Sequence, residues 1–157
     1  AFNVSIKQAE SLKLEHGGAV VDLAARTRRV APPSEVGFPD KPVGLSALHT
    51  VINARAREIF EMVKSDLEHC EVSSRFGSGV ILTGGCARMK GMIETAEKVF
   101  GLPCSVGRPR DVDGLAAAIE GPEYAAAVGM LRYGLSNARE EPGFSLGAWL
   151  KGLFEKK

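Results

Sequence analysis

The run Gly79-Val80-Ile81-Leu82-Thr83-Gly84-Gly85 constrains this chain more than any other stretch. A short apolar run bounded by glycine has the profile of a strand buried on both faces. After the two glycines, Met92, Ile93, Ala96, Val99 and Phe100 recur at helical spacing, and Gly101 supplies a stop. Pro103-Cys104-Ser105-Val106 then resumes as a strand. Strand, turn, helix and strand make an α/β unit, connected right-handedly if the strands are parallel. A glycine pair at the end of such a strand brings backbone N–H groups and a helix N-terminus together with no Cβ to hold a ligand away, so phosphate or ribose can approach. The same turn also solves a purely steric problem, and the bare pattern leaves both readings open.

The flanking segments are ordered around this unit. Ser5 with Gln8 forms a capping box, and Ile6, Ala9 and Leu12 share the face of a helix of about three turns that stops at Gly17-Gly18. Between 19 and 45, short β-prone pieces alternate with Pro32-Pro33, Gly37 and Pro42, which predicts a small irregular antiparallel piece. Ser46 then caps a long helix with Leu48, Ile52, Ile59, Val63 and Leu67 inward. Arg55, Arg57, Glu58, Glu61 and Lys64 occupy its other side, a solvated face first and a partner site second. Gly107-Arg108-Pro109-Arg110 reads as a turn, 115–119 as a short helix, and Pro122 as the first residue of a helix carrying Tyr124, Ala127, Val128 and Leu131. Residues 135–143 read as a short polar linker.

Composition excludes several classes. A length of 157 residues argues for one domain, or one lobe of a larger one. The 45% hydrophobic and 25% charged residues rule out disorder throughout, and a net charge of +1 lacks the broad basic field of a nucleic-acid binder. Cys70, Cys86 and Cys104 are an odd set without C-x-x-C spacing, which supports neither a disulfide framework nor a zinc site. No apolar stretch reaches the roughly 18 residues of a membrane span. No signal peptide opens the chain, so the cytoplasm is the default compartment. The sequence starts at Ala1 without Met and reads as a piece of a longer chain.

Near the end, Leu146, Trp149, Leu150, Leu153 and Phe154 form one helical stripe preceded by Phe144, with Lys151, Lys156 and Lys157 around it. Gly147 and Gly152 each weaken such a helix by about 1 kcal/mol relative to Ala, so a surface must fold it. An anionic bilayer suits Trp, Phe and Lys; a helix docked on the protein's own core or on a neighbour is the competing reading.

The run Val80-Ile81-Leu82-Thr83-Gly84-Gly85-Cys86-Ala87, with Gly91 after it, resembles the adenosine motif of the actin, Hsp70 and sugar-kinase superfamily. Gln8-Ala9-Glu10-Ser11-Leu12-Lys13 upstream and Pro122-Glu123-Tyr124-Ala125-Ala126-Ala127-Val128-Gly129 downstream are similar to two of its helices, in the expected order. Within the superfamily the bacterial cell-division family FtsA matches best, through Ala9-Glu10, Ala54-Arg55, Val99-Phe100-Gly101-Leu102-Pro103, Gly114-Leu115 and the Tyr124 helix.

The resemblance implies an α/β fold: the second lobe of an actin-like, RNase-H-like protein with a small inserted α+β subdomain and a C-terminal amphipathic helix. Residues 1–18 would be the nucleotide-side helix, 19–70 the inserted subdomain, 71–134 the core, 135–143 the linker and 144–157 the membrane helix. ATP is the implied cofactor. Gly84 and Gly85 would meet ribose and α-phosphate, Glu10 and Lys13 the ribose and adenine edge, and Arg88 would stack on adenine. Cys86 stands where the family often has Gly, which narrows the pocket. Nothing adjacent in sequence marks it as a nucleophile. For Glu10 and Lys13 a solvated helix face is the competing reading.

The Mg²⁺-binding phosphate loops would precede Ala1, so the chain alone is expected not to be an enzyme. The implied partners are the FtsZ tail, anchored at Arg55, Arg57 and Lys64; further copies in an actin-like filament; and an anionic membrane bound through Phe144, Leu146, Trp149, Leu150, Lys151, Leu153 and Phe154. No nucleic acid is implied. The implied place is the cytoplasmic side of the inner membrane at the division septum. Lobes of a sugar or acetate kinase, or of a pilus-assembly ATPase, are the alternatives.

Overall fold

A computed structural model describes residues 2–38, 41–70, 79–110 and 119–138. The first helix, α1 (Ile6–His16), starts on the capping box: the Ser5 hydroxyl accepts from the Gln8 N–H at 3.0 Å, and Gln8 Oε1 accepts from the Ser5 N–H at 3.1 Å. It ends at Gly17, whose N–H bonds the Lys13 carbonyl. A Cβ at Gly17 would lie 2.2 Å from that carbonyl oxygen, so glycine is needed there for close approach.

The buried face of α1 differs from the expected one. Ile6 is 91% exposed and Ala9 is exposed, whereas Gln8 and Leu12 are buried. Gln8 goes inside because both ends of its amide are engaged: besides the cap, Nε2 donates to the Pro33 carbonyl at 3.0 Å. That bond ties the irregular 31–35 segment to α1.

Strands β1 (Arg29–Val30) and β2 (Val43–Gly44) pair antiparallel, the small antiparallel piece expected. Val30 and Val43 face each other and join Leu12, Ala25, Leu45 and Leu48 in the first core cluster. Helix α2 (Leu45–His69) follows without a side-chain cap. Ser46 lies inside it; the Leu45 N–H is instead satisfied by the Arg28 carbonyl at 2.9 Å, from the residue just before β1. Along α2 the inward stripe runs through Leu48, Ile52, Ala56 and Phe60. The expected Ile59 and Val63 are each 44% exposed.

Strand β3 (Val80–Leu82), helix α3 (Met92–Phe100) and strand β4 (Cys104–Val106) form the expected unit, with β3 and β4 parallel and Val80 opposite Cys104. Gly91 at the start of α3 and Gly101 at its end both take the left-handed conformation. A Cβ at Gly91 would also strike Val20 at 2.6 Å. Strand β3 is not buried on both faces: Ile81 is 70% exposed, while Val80 and Leu82 are half-buried. Leu82, Phe60 and Met89 pack around Ala19, Ala56 and Met92, and the Phe60 and Phe100 rings meet at 5.7 Å.

The stretch after α1 joins three elements. Gly18 bridges Lys90, the Ala19 N–H donates to the Lys90 carbonyl, and the Ala19 carbonyl accepts from Asn53 on α2 and Thr95 on α3. This places α1 beside the glycine turn. A 3₁₀ turn at Pro122–Tyr124 opens α4 (Ala125–Ala138), as the proline predicts. Val128 is buried, but Leu131 is 61% exposed, and the helix continues into residues read as linker. The 115–118 stretch and the whole 144–157 segment lie outside the described residues. No helix among the described residues is long and apolar enough to cross a membrane.

Candidate functional site

The glycine pair divides its roles. Gly84 has φ +87°, which disfavours any side chain, and its N–H donates to the Pro122 carbonyl at 2.9 Å. The Thr83 hydroxyl donates to the same carbonyl at 3.2 Å. These bonds clamp the end of β3 to the start of α4. Gly85 opens the 3₁₀ turn Gly85–Arg88. Its backbone needs no glycine, and among the described residues a Cβ there would meet only Glu123 Cβ at 4.0 Å. Neither strain nor packing among the described residues explains the missing side chain.

That empty space lies on a cleft of about 620 Å³ between α1 and the turn. Glu10 and Lys13 come from α1, Gly85, Cys86 and Arg88 from the turn, and Glu123 from the segment opening α4. Five of the six residues expected at a nucleotide are therefore brought together. Gly84 is the exception, lying behind the lining as part of the clamp. Glu10 and Lys13 pair at 2.6 Å, one helical turn apart, both partly exposed. Cys86 is exposed.

Glu123 was absent from the sequence expectations. Its Oε1 accepts from Arg88 Nη1 at 2.6 Å, and Oε2 is shut off from solvent without a partner among the described residues. Its own backbone N–H, then Arg88 and the charge of Arg108, hold the carboxyl below the usual carboxylate range despite an opposing effect of burial. The only local signal was its place just after Pro122; the partner lies 35 residues away.

Beside the cleft, an apolar cavity of about 390 Å³ lies between α2 and the turn, walled by Ile52, Ala56, Phe60, Leu82, Met89 and Met92. Arg55 reaches this side, while Arg57 and Lys64 line a polar groove of about 470 Å³ between α2 and α3. Residues two apart sit about 200° apart around a helix, so the three partner candidates do not form one patch. Arg55 pairs with Glu58 at 2.6 Å and Arg57 with Glu61 at 3.2 Å. Lys64 donates to the Val99 carbonyl at 2.9 Å. Among the described residues no group of His, Cys, Asp and Glu could hold a metal.

A parallel β-α-β unit with a glycine turn, a flanking helix and a small second sheet defines a mixed α/β protein. The family model for cell division protein FtsA matches residues 1–129. FtsA of Pseudomonas aeruginosa is 31% identical over 146 residues, covering 93% of this chain and 34% of that protein. FtsA of Escherichia coli K12 is 28% identical over 167 residues, covering 98% and 40%. FtsA of Neisseria meningitidis is 32% identical over 132 residues, covering 83% and 32%. The chain belongs to the FtsA family of cell-division proteins. It spans about a third to two fifths of the length of these relatives.

Proposed function

We propose that this chain supplies the adenosine-facing wall of an ATP site in an actin-like cell-division protein that tethers FtsZ filaments to the cytoplasmic face of the membrane. In this reading Glu10 and Lys13 meet the ribose and base edge, Gly85 admits the sugar and α-phosphate, and Cys86 and Arg88 border the base. Mg²⁺ and the terminal phosphates are held by residues outside this chain, which on its own is not an enzyme. The FtsZ tail docks on α2, further copies polymerise, and residues 144–157 fold as an amphipathic helix on anionic lipid at the septum.

The observation that carries the ATP reading is Gly85: a glycine that neither backbone strain nor a neighbour among the described residues requires, facing a cleft lined by paired charges. Its absent Cβ keeps an approach open that is useful only to a ligand. Alkylation of Cys86 tests this. Millimolar Mg-ATP should slow its modification by N-ethylmaleimide while leaving Cys70, exposed at the far end of α2, unaffected. Cys104 serves as a slow internal reference, because burial, and then the charge of Glu97, push its thiol up. Gly85→Val should remove the protection. Cys86 modification indifferent to ATP would overturn the reading.

A further inference from the structure

The Arg88 to Glu123 pair is poorly explained as a stabilising contact. Arg88 is 66% exposed, and ion pairs at such positions contribute little to stability. The docking of the turn on the α4 segment is already secured by the Pro122 carbonyl, which accepts from Gly84 and from Thr83. Among the described residues Oε2 of the Glu123 carboxylate is shut off from solvent without a partner. Room is also kept for it. Gly121 has an ordinary extended backbone, and a Cβ there would stand 2.5 Å from Glu123 Cδ and Oε2. The carboxylate thus folds back over a bare backbone and reaches Arg88, which lines the same cleft.

We infer that Glu123 is a positioning residue of the cleft: it fixes the Arg88 guanidinium at the rim, so that the planar cation is preformed for a planar, electron-rich ring entering beside Gly85. An unrestrained arginine loses several rotors on stacking; one tethered through Nη1 has already lost them, with a guanidinium face still available. Gly121 serves the same end by leaving space for the carboxylate. This inference rests on the reading of the cleft as an adenosine site, and extends it to a residue that sequence reasoning left out.

The test measures, in the whole chain, the Mg-ATP concentration that half-protects Cys86 from N-ethylmaleimide, with the adduct quantified by peptide mass spectrometry. It is applied to the unmodified protein, Arg88→Ala, Glu123→Ala, the double variant and Gly121→Ala, each checked for folding by circular dichroism. Arg88→Ala should raise the half-protecting concentration about two- to fivefold, the size of one exposed cation–π contact. Glu123→Ala should match it, and the double variant should be no worse than either single one, since Glu123 acts through Arg88. Gly121→Ala, which keeps the charge and displaces the carboxylate, should reproduce Glu123→Ala. A structural role for Glu123 would shift melting without this non-additivity. A half-protecting concentration left unchanged by Glu123→Ala, or additive losses in the double variant, would overturn the inference and leave the adenosine reading standing. Absence of protection in the unmodified chain would overturn both.

Discussion

Lys64 on α2 donates its ammonium to the carbonyl oxygen of Val99, 2.9 Å away in the last turn of α3. The last carbonyls of a helix have no partner within it and carry partial negative charge, so a half-buried cation there satisfies an acceptor and the helix dipole together. A residue expected to greet a partner thus fastens two helices, while the neighbouring arginines pair with glutamates of their own helix.

Lys64→Ala should therefore lower stability by about 1–2 kcal/mol in urea unfolding, whereas Arg57→Ala should change it by less than about 0.5 kcal/mol. For an acidic FtsZ-tail peptide, charge reversal should act on one side of α2 only. Arg55→Glu or Arg57→Glu should weaken binding in a titration, and the other should leave it nearly unchanged. Equal losses from both would show a peptide that wraps the helix.

Leu12 and Ile6 make a second contrast. Leu12 is 2% exposed inside the first cluster, and Leu12→Ala should cost about 2–5 kcal/mol. Ile6→Ser should be nearly neutral. Gln8→Leu preserves volume but orphans the Pro33 carbonyl and the Ser5 N–H, and should cost about 1–3 kcal/mol. A stabilising Gln8→Leu would mean that the capping network contributes nothing net.

The Glu123 carboxyl gives a pH signature. Its folded pKa lies below the unfolded value, so the folded chain binds fewer protons than the unfolded one between them, and stability rises with pH across that window. The contribution is complete above the ordinary carboxylate range, near 4.3, and is lost as pH falls through the lowered folded value. Glu123→Gln should flatten this part of the stability profile measured between neutral and acid pH. An unchanged acid limb would show that other carboxyls dominate it.

The C-terminal segment supplies a lipid prediction. Burying Leu146, Trp149, Leu150, Leu153 and Phe154 at roughly 1.5 to 3 kcal/mol each would be offset largely by ordering the helix, so one copy should bind weakly and reversibly. Several copies on one filament would raise avidity by orders of magnitude. Co-sedimentation with anionic vesicles should be lost on Trp149→Glu, and the isolated 144–157 peptide should gain helix only with lipid. Helix in buffer alone would favour the docked-helix reading.

What the amino-acid order determined by itself is local. The Ser5 and Gln8 cap, the left-handed stop at Gly101 and the proline start at Pro122 are settled by groups a few residues apart, and the strand, glycine turn, helix and strand unit by pairing within 27 residues, from Val80 to Val106. The grouping of Glu10, Lys13, Gly85, Cys86 and Arg88 came from likeness to a superfamily, not from spacing, and the cleft brings those five together. Tertiary structure decided which faces are buried and which charges meet. Gln8 replaced Ile6 inside because Pro33, 25 residues away, supplies its acceptor. The start of α2 is capped by the Arg28 carbonyl because β1 and β2 bring it there. Arg88 found Glu123 only once α4 docked on the glycine turn. A polar group can be buried, or a charge fixed, only where a partner arrives to replace water, and that partner's position is a property of the folded chain.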